Sequence, residues 1–486
     1  MFVSAKSGRE PTTRTPCVGV RVALVVGSLG VLGVLGCGDP SSDADTQADD
    51  SSDTDALRPS WHQDIAPLIH AHCVRCHQPG GVAPMSLHDH DSAAPWAAQM
   101  LDEVVAGTMP PWGPRITERC QPDHDFVDDP TLANADVDLL ARWLAAGAPV
   151  GDPATAAPLP KLDSLALTDV SASFHNAAPY SFEGPGDAYV CFSADLGLTE
   201  PRFLDGIEVL PDNEAIVHHV LVWVTPTPPA EHPGPWDCPP GAILEGAWLL
   251  GIWVPGASPT VFPEGVSFAV PAGAHVILSY HYHPPGPGTH TDRSGVALRW
   301  QAEPTPWLGA FALLGLHPEP DQLLDPPFMI PAGASDHPET VAEPWPVDEV
   351  SLFSIGTHMH YVGRDQLISV QRPGQSLADA DCLLHTPAWD FDWQRLYQID
   401  RPLEQLPTLG PGDTVWMDCR YDNTLDNPGV ARALSEQGLS DAQDVYWGDS
   451  SLDEMCVGLV GVAWPLAGPD PDPDPDPGPD PGVPGR

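Results

Sequence analysis

One short motif in the sequence combines residue types that could hold a redox cofactor covalently. Cys73 and Cys76 are separated by two residues and are followed directly by His77. In this C-x-x-C-H pattern two thiols bond a haem and the adjacent imidazole ligates its iron. A redox or zinc C-x-x-C site would need a thioredoxin-like βαβ unit or a second cysteine pair, and the sequence offers neither. The motif therefore predicts a covalently attached c-type haem.

The iron of such a haem needs a second axial ligand from further along the chain. We favour Met109, because a thioether stabilises Fe(II) and raises the reduction potential. Met85 and Met100 are the alternatives, and Met100 lies in an apolar helical stretch, where methionine more often packs in a core. The run from Cys76 to Leu87, followed by Met-Pro-Pro-Trp112, resembles the cytochrome c domain fused to exported bacterial oxidases.

Three pairs of histidines mark a second region: His218-His219, His281-Tyr-His283 and His358-Met-His360. Residues two apart share one face of a strand, so His358 and His360 can bind one ion together. Adjacent His218 and His219 point to opposite faces of an ideal strand, and joint ligation by them requires a local twist or bulge. Imidazoles suit Cu, Zn, Fe or Ni, and a thioether in addition would favour copper.

The elements that position these residues differ along the chain. Around the C-x-x-C-H motif, residues 135–144 repeat apolar side chains at helical spacing and stop at Gly147. The histidines lie in or beside short β-branched or aromatic segments that Pro/Gly turns separate, which is typical of β-sandwiches. These segments are Ile216–Val224, Val276–Tyr282, Val350–Ile355, Thr414–Tyr421 and Val457–Trp464.

The N-terminus indicates export. A basic start precedes an apolar run from Val22 to Gly36, and the tetrapeptide Val34-Leu-Gly-Cys37 resembles the bacterial lipobox, whose cysteine is acylated. We predict lipidation at Cys37 and a location in the cell envelope, periplasmic or on the outer surface; a plain anchor helix is the alternative. The flanking segments 38–58 and 468–486 are rich in Asp with Ser or Pro and are predicted to be disordered.

The charge balance excludes several partners. The 486 residues include 67 Asp and Glu against 20 Lys and Arg, a formal net charge of -47. Phosphate backbones and anionic lipids repel such a surface, so we expect no nucleic-acid partner and membrane contact only through the lipid anchor.

Five segments of the second region occur in the order seen in one family of oxidases. They are Asp187-Ala-Tyr-Val-Cys-Phe192, Val217-His-His-Val-Leu221, Ile277-Leu-Ser-Tyr-His-Tyr282, Thr357-His-Met-His360 and Ser451-Leu-Asp-Glu-Met-Cys456. In them the chain resembles the copper type II ascorbate-dependent monooxygenases, the family of peptidylglycine α-hydroxylating and dopamine β-monooxygenases. Bacterial members fused to an N-terminal c-type cytochrome are the most similar, since they share the segments 389–394 and 421–423.

The resemblance implies two copper ions with unlike ligands. The electron-transferring copper would bind three imidazoles, those of His218, His219 and His281, with His283 as an optional supporting group. The copper that binds dioxygen would have two imidazoles and a thioether, from the expected catalytic residues His358, His360 and Met455. Two copper ions and one covalent haem are the cofactors expected.

The resemblance also implies the domain organisation. We predict a multidomain chain with a small all-α cytochrome c domain and two mainly antiparallel β-sandwich (jelly-roll-like) subdomains, whose copper sites face each other across a solvent-filled cleft. The segments are a signal peptide with lipobox (1–37), an acidic tether (38–58), the haem domain (59–152), a linker (153–173), the two copper sandwiches (174–305 and 306–467) and an Asp/Pro-rich tail (468–486).

Six of the 10 cysteines remain after the signal, lipid and haem cysteines are set aside. An even remainder in an exported chain indicates disulfides. By resemblance, Cys191 pairs with Cys238 and Cys419 with Cys456. Cys120 and Cys382 are left, and a bridge between the haem and copper modules is a further hypothesis.

The resulting functional prediction is an exported monooxygenase that hydroxylates a C–H bond of a small molecule with O2. Its electrons would come from an ascorbate-like reductant or a redox protein, with the haem as an alternative route. A non-catalytic haem- and copper-binding electron-transfer or copper-handling lipoprotein is the competing hypothesis, and a zinc hydrolase using Glu454 ranks last. Gly356, Val457 and Leu459 stand where peptide-hydroxylating members carry their carboxylate-binding side chains, so a peptidylglycine substrate is not expected.

Overall fold

The computed structural model describes residues 58–81, 83–161, 166–184, 186–227, 234–238, 246–255, 257–283, 286–315, 328–346, 348–448 and 450–466. The predicted signal peptide with Cys37, the tether up to residue 57 and the tail 468–486 lie outside these residues. The described residues from 58 to 466 belong to one compact unit. Within the described ranges, no helix is long and apolar enough to cross a bilayer.

The region around the C-x-x-C-H motif is helical. A π-helical turn at Trp61–Ile65 precedes α1 (Ala66–His72), α2 (His90–Ala93), α3 (Ala97–Ala106) and α4 (Asn134–Ala145). The Asp89 side chain accepts a hydrogen bond from the Ser92 N–H and so starts α2, while Gly107, with φ 76°, ends α3. These elements pack around buried Trp61, Ile65, Leu140 and Trp143. The helix predicted at 135–144 is present as α4; the assignment as a cytochrome c domain stays a prediction.

The remainder consists mainly of strands, joined by short 3₁₀ turns and one helix, α5 (Pro428–Gln437). The strands of the first part are β1 (Ala172–His175), β2 (Tyr180–Gly184), β3 (Ala188–Asp195), β4 (Arg202–Leu210), β5 (Val217–Thr225), β6 (Trp236–Asp237), β7 (Trp248–Trp253), β8 (Thr260–Val261), β9 (Val266–Val270), β10 (His275–Tyr282), β11 (Gly288–Asp292) and β12 (Gly295–Gln301). Those of the second part are β13 (Trp307–Leu314), β14 (Met329–Ile330), β15 (His337–Pro344), β16 (Val350–His358), β17 (Gly363–Gln371), β18 (Asp381–Thr386), β19 (Leu396–Gln398), β20 (Thr408–Leu409), β21 (Thr414–Tyr421), β22 (Val445–Tyr446) and β23 (Val457–Pro465).

Three larger sheets organise these strands. One sheet has the order β6-β3-β10-β5-β7 and another β15-β21-β17-β18, while the largest runs β1-β12-β4-β9-β13-β23-β16-β19. The five-stranded sheet lies on the first part of the large sheet, where an added Cβ on Gly251 of β7 would lie 3.7 Å from Ile207 Cδ1 of β4. The four-stranded sheet lies on the second part, where Ile368 of β17 approaches Gly458 of β23.

The large sheet crosses the predicted boundary between residues 305 and 306. β13 pairs with β23 along its whole length, and its first residues, Trp307 and Leu308, pair in parallel with Val266 and Ser267 of β9. The mainly antiparallel β body is confirmed. A continuous sheet joins the two halves of the body. The division into two separate jelly-roll subdomains stays a prediction.

An extended segment, residues 112–127, attaches the helical region to the β body. The Gly113 N–H donates to Tyr397 Oη at 3.1 Å, and Arg119 contacts Asp365 at 2.9 Å and Asp418 at 2.6 Å. Cys120 forms a disulfide with Cys382 across 262 residues of sequence. The hypothesised bridge between the two modules is therefore present in the structure.

Candidate metal and haem sites

The first histidine cluster lies where β5 and β10 pair. His281 faces His219, but the next pair along the ladder is Tyr282 with Val217. His218 is therefore the extra residue of a β-bulge, which redirects its side chain towards that of His219. The Nδ1 atoms of these two residues lie 3.2 Å apart, and ligand atoms of His218, His219 and His281 lie within 4.8 Å of one another. The bulge thus supplies the local distortion that joint ligation requires.

Asp187 contacts two histidines at this cluster. Asp187 Oδ2 lies 3.1 Å from His281 Nε2, but both ring nitrogens of His281 are buried and neither makes a hydrogen bond of good geometry among the described residues. Asp187 Oδ1 lies 2.7 Å from His283 Nδ1. Burial would raise the pKa of Asp187, but its close contacts with both histidines outweigh burial and hold that pKa far below its usual value. A buried imidazole nitrogen without a hydrogen-bond partner fits a metal ligand, and His283 supports Asp187, although Asp187, His281 and His283 also lie close enough to form an alternative set.

Phe391 lies between the two histidine clusters. Its ring stacks on that of His218, with centroids 4.6 Å apart, and its centroid lies 6.4 Å from that of His360. Next to it, Asp392 Oδ1 lies 3.7 Å from His218 Nε2, and Arg432 Nη1 lies 2.9 Å from Asp392 Oδ2. A buried aromatic ring therefore occupies part of the space where the resemblance implies a solvent-filled cleft.

The second cluster forms where β16 and β23 pair. His358 ends β16 opposite Val457 at the start of β23, and the ring centroids of His358 and His360 lie 5.1 Å apart. His358 Nδ1 lies 2.8 Å from Gln394 Oε1, and His360 Nδ1 lies 3.2 Å from the Asp453 carbonyl oxygen. With both Nδ1 atoms engaged, the Nε2 atoms are the ones available to a metal.

Burial keeps the imidazoles of His219, His358 and His360 uncharged. It lowers the pKa of His358 to about 4 and the pKa of His360 and His219 well below the usual value. Neutral imidazole is the form that ligates a metal, so no proton must be displaced at neutral pH.

Glu454 holds Met455 beside His360. Its fully buried carboxyl group accepts hydrogen bonds from the backbone N–H groups of His360, Met455 and Val362. Burial raises the pKa of Glu454 to about 8. Tyr421 Oη donates to the Met455 carbonyl oxygen at 2.7 Å, and Cys419 and Cys456 form a disulfide. This environment assigns Glu454 a positioning role and leaves no general-base role of the kind that a zinc hydrolase needs.

The C-x-x-C-H motif forms a turn directly after α1. The Cys73 N–H donates to the Ile69 carbonyl oxygen at 2.8 Å, and the His77 N–H to that of Cys73 at 3.0 Å. Both cysteines are free thiols, and burial raises the pKa of Cys73 to about 12. His77 Nδ1 lies 3.1 Å from the Met85 carbonyl oxygen, which leaves Nε2 as the ligand atom. The free thiols and the oriented imidazole fit covalent haem.

The three methionines considered for the second axial position all line one cavity. Met100 is buried in the helical core, as its apolar surroundings in the sequence predict. Met109 is 41% exposed and is therefore more accessible than Met100. The choice of Met109 stays a prediction.

A single cavity of about 700 Å³ connects the haem motif with the histidine clusters. Its lining includes both redox regions, with Cys73, Cys76, His77 and Met109 from one and His219, His358, His360 and Met455 from the other. Imidazole and thioether atoms suit copper, so the donor atoms around the cavity fit both predicted cofactors.

Sequence reasoning assigned no role to several residues that position the candidate ligands. Asp187 and Gln394 orient His281 and His358, and Phe391 separates the two clusters. Both Asp187 and the 389–394 segment lie in stretches that carry the family resemblance. Their place in these stretches is the sequence feature that could have indicated a role at the metal sites. The Cys191–Cys238 and Cys419–Cys456 disulfides are paired as the resemblance implies.

Two solved structures align with much of the chain at low TM-scores. A chain from Broad Bean Stain Virus aligns over 63% of this chain and 93% of its own length with a TM-score of 0.29 and 9% identity. A glycosylasparaginase from Flavobacterium meningosepticum aligns over 59% and 96% with a TM-score of 0.22 and 10% identity. Scores this low carry no argument about fold or function.

The sequence comparison is more informative. No protein-family model matches the sequence. Over 279 residues, 56% of this chain, it is 24% identical to peptidyl-glycine alpha-amidating monooxygenase A of Xenopus laevis, and over 277 residues it is 23% identical to the B form. The match covers 26% and 27% of those proteins, about a quarter of their length. The chain is therefore a distant and partial relative of these monooxygenases.

Proposed function

We propose that this chain is a copper-dependent monooxygenase that hydroxylates a C–H bond of a small-molecule substrate with O2. The observation that carries the proposal is one cavity whose lining includes histidines of both clusters, Met455 and the C-x-x-C-H motif. The distant similarity to two monooxygenases supports the same reaction class.

Two ligand sets would hold the metal. The set with three imidazoles, from His218, His219 and His281, would bind one copper ion, and the set of His358, His360 and Met455 would bind the other. Copper supplies one-electron chemistry by which a C–H bond, O2, two electrons and two protons become C–OH and water. The Met455 thioether, a soft ligand, would favour the Cu(I) state of a bound ion.

The surrounding residues orient and shield these ligands. Gln394 and the Asp453 carbonyl group hold the two imidazoles of the methionine-containing set by their Nδ1 atoms, and Asp187 Oδ2 lies 3.1 Å from His281 Nε2. Such outer contacts fix the ring orientation and the tautomer. The buried Phe391 ring lies between the two sets, beside His218 and His360.

We propose further that Cys73 and Cys76 would attach a c-type haem, and that His77 and Met109 would ligate its iron. A bound haem would supply a one-electron carrier for an ascorbate-like reductant or a redox protein. The shared cavity favours this route for electrons.

Export to the cell envelope with a lipid anchor at Cys37 belongs to the same proposal. Three disulfides among the described cysteines fit an oxidising compartment. The strongly acidic composition supports the absence of a nucleic-acid partner.

Metal and haem analysis of the purified full-length protein tests the proposal, followed by measurement of copper-dependent O2 consumption with candidate substrates. We expect two coppers and one covalent haem per chain. Met455→Ala should abolish O2 consumption, whereas Met329→Ala, in β14, should retain it. Haem reduction by physiological donors should support turnover, and His77→Ala should remove that support.

Other results would contradict the proposal. Reversible copper uptake without O2 chemistry would support the alternative, a haem- and copper-binding electron-transfer or copper-handling lipoprotein. Zinc as the sole bound metal would overturn the copper assignment.

A further inference from the structure

We propose that the substrate of this site is an apolar, uncharged molecule that lies on the sheet face beside His358. The inference rests on the proposed function and names its substrate class. It comes from the register of three neighbouring strands, which determines the side chains that stand next to the candidate oxygen-binding ligands.

The side chains next to His358 on this face are aliphatic. His358 of β16 lies opposite Val457 of β23, and Gly356 lies opposite Leu459. Leu459 in turn lies opposite Leu313 of β13. Opposed residues on one sheet face have Cβ atoms about 5 Å apart, so Val457, Leu459 and Leu313 form a continuous apolar floor. All three line the cavity.

Gly356 has no room for a polar side chain in the middle of this floor. A Cβ at position 356 would lie 2.6 Å from the Arg395 carbonyl oxygen, well inside van der Waals contact. Leu396, which pairs with Gly356 from the other side, also lines the cavity. A charged group on the substrate would therefore meet aliphatic carbon on this floor, at a large desolvation cost.

Most of the charged side chains that line the cavity come from outside the β body. Among the described lining residues, Arg75, Glu103 and Asp128 come from the helical region and its following segment. Arg395 comes from the β body, but its guanidinium carbon lies 3.7 Å from the centre of the Trp393 ring. The guanidinium group of Arg395 is therefore engaged by an aromatic ring of its own strand region.

The floor ends in one neutral polar group. Ser354, on the same face of β16 as Gly356 and His358, is buried, and its Oγ has no hydrogen-bond partner among the described residues. Ser354 lies four residues, about 13 Å, from His358. A substrate with a neutral hydroxyl or carbonyl at its far end would therefore also be accepted.

Calorimetric titration of the haem-loaded full-length protein, with and without copper, tests the inference. The probes are propylbenzene, 3-phenylpropionate and 3-phenylpropylamine, which share one skeleton and differ in charge. We expect propylbenzene to bind at least about tenfold more tightly than either ion, because the floor cannot pair a charge. Comparable or tighter binding of 3-phenylpropionate, lost in Arg395→Gln, would overturn the inference and identify a carboxylate site.

Two variants test the floor itself. Leu459→Gln and Leu313→Trp should each weaken propylbenzene binding about tenfold, the first by adding polarity and the second by filling space. Leu439→Gln changes an exposed leucine and should leave binding unchanged. The haem spectrum and the thermal midpoint show whether each variant is folded. Unchanged binding in both folded floor variants would overturn the inference.

Failure of the inference and failure of the proposed function can be separated. Charge preference is measured as binding and needs no turnover. Neutral-probe preference in a protein without copper-dependent O2 chemistry would leave the inference standing and reject the monooxygenase. Copper-dependent O2 chemistry in a protein that prefers the anionic probe would support the monooxygenase and reject the inference of an apolar substrate.

Discussion

The Nδ1 atoms of His218 and His219 lie 3.2 Å apart, although the two residues are neighbours in one strand and would point to opposite faces of a regular sheet. The β-bulge between β5 and β10 removes this obstacle by leaving His218 without a partner in the ladder. The same bulge keeps His281 opposite His219, so that all three imidazoles meet on one side of the sheet.

Removing one imidazole should therefore empty one metal site and leave the other. We expect His281→Ala to lose one of two coppers, because the remaining two histidines offer too few donor atoms for tight binding. The copper held by His358, His360 and Met455 should remain. Metal analysis after gel filtration checks this result, with His275→Ala on the same strand as the control. Retention of both coppers in His281→Ala would contradict the assignment.

Gln394 should control the affinity of the second site without being a ligand. Gln394→Ala removes the acceptor that holds His358 Nδ1 at 2.8 Å. Loss of such an outer contact weakens metal binding about 10–100-fold. Competition with a copper chelator measures the change, and Gln405→Ala, at an exposed position, is the matched control. Equal affinity in both variants would show that the contact has no role in binding.

The Cys120–Cys382 disulfide should fasten the 112–127 segment to the β body. Replacing both cysteines by serine should lower the thermal midpoint, since loss of a native disulfide costs about 2–5 kcal/mol. The segment should also become accessible to limited proteolysis. Replacing Cys191 and Cys238 by serine is the matched comparison, because that disulfide joins β3 to the residue after β6. Cleavage of 112–127 in neither variant would mean that the hydrogen bonds and ion pairs hold the segment alone.

Asp365 should make stability depend on pH in the acid range. Burial would raise its pKa, but the hydrogen bond with His385 and the charges of His385 and Arg119 hold the pKa below its usual value. Because the folded pKa is the lower one, the carboxylate stabilises the fold above the unfolded pKa of about 4, and this stabilisation is lost as pH falls through the folded pKa.

Asp365→Asn should therefore have a lower free energy of unfolding at pH 7 and a shallower loss of stability at acid pH. Urea unfolding from pH 7 to pH 3 measures both effects. Asp102→Asn, at an exposed position in α3, should follow the unchanged protein. If the free energy of unfolding of Asp365→Asn changed with pH in parallel with that of the unchanged protein, a contribution of Asp365 to acid-range stability would be excluded.

Local sequence patterns were sufficient for part of this description. The apolar spacing at 135–144 predicts α4, and the alternating β-branched segments predict strands such as β5, β10, β16 and β23. Helical and strand periodicity are local properties, so the sequence carries them directly. The order in which the large sheet joins β9 to β13 depends on pairing between distant segments, and no local pattern specifies it.

By itself the sequence determined the residue types and spacings that suit metal and haem chemistry: a C-x-x-C-H motif, three histidine pairs and Met455. Only the tertiary structure decided that the C-x-x-C-H motif and these donors line one cavity, that the Cys120–Cys382 disulfide joins the modules, and that Leu313, Val457 and Leu459 form the floor beside His358. The physical reason is that strand register and long-range packing bring together residues hundreds of positions apart, whereas spacing along the chain reports only near neighbours.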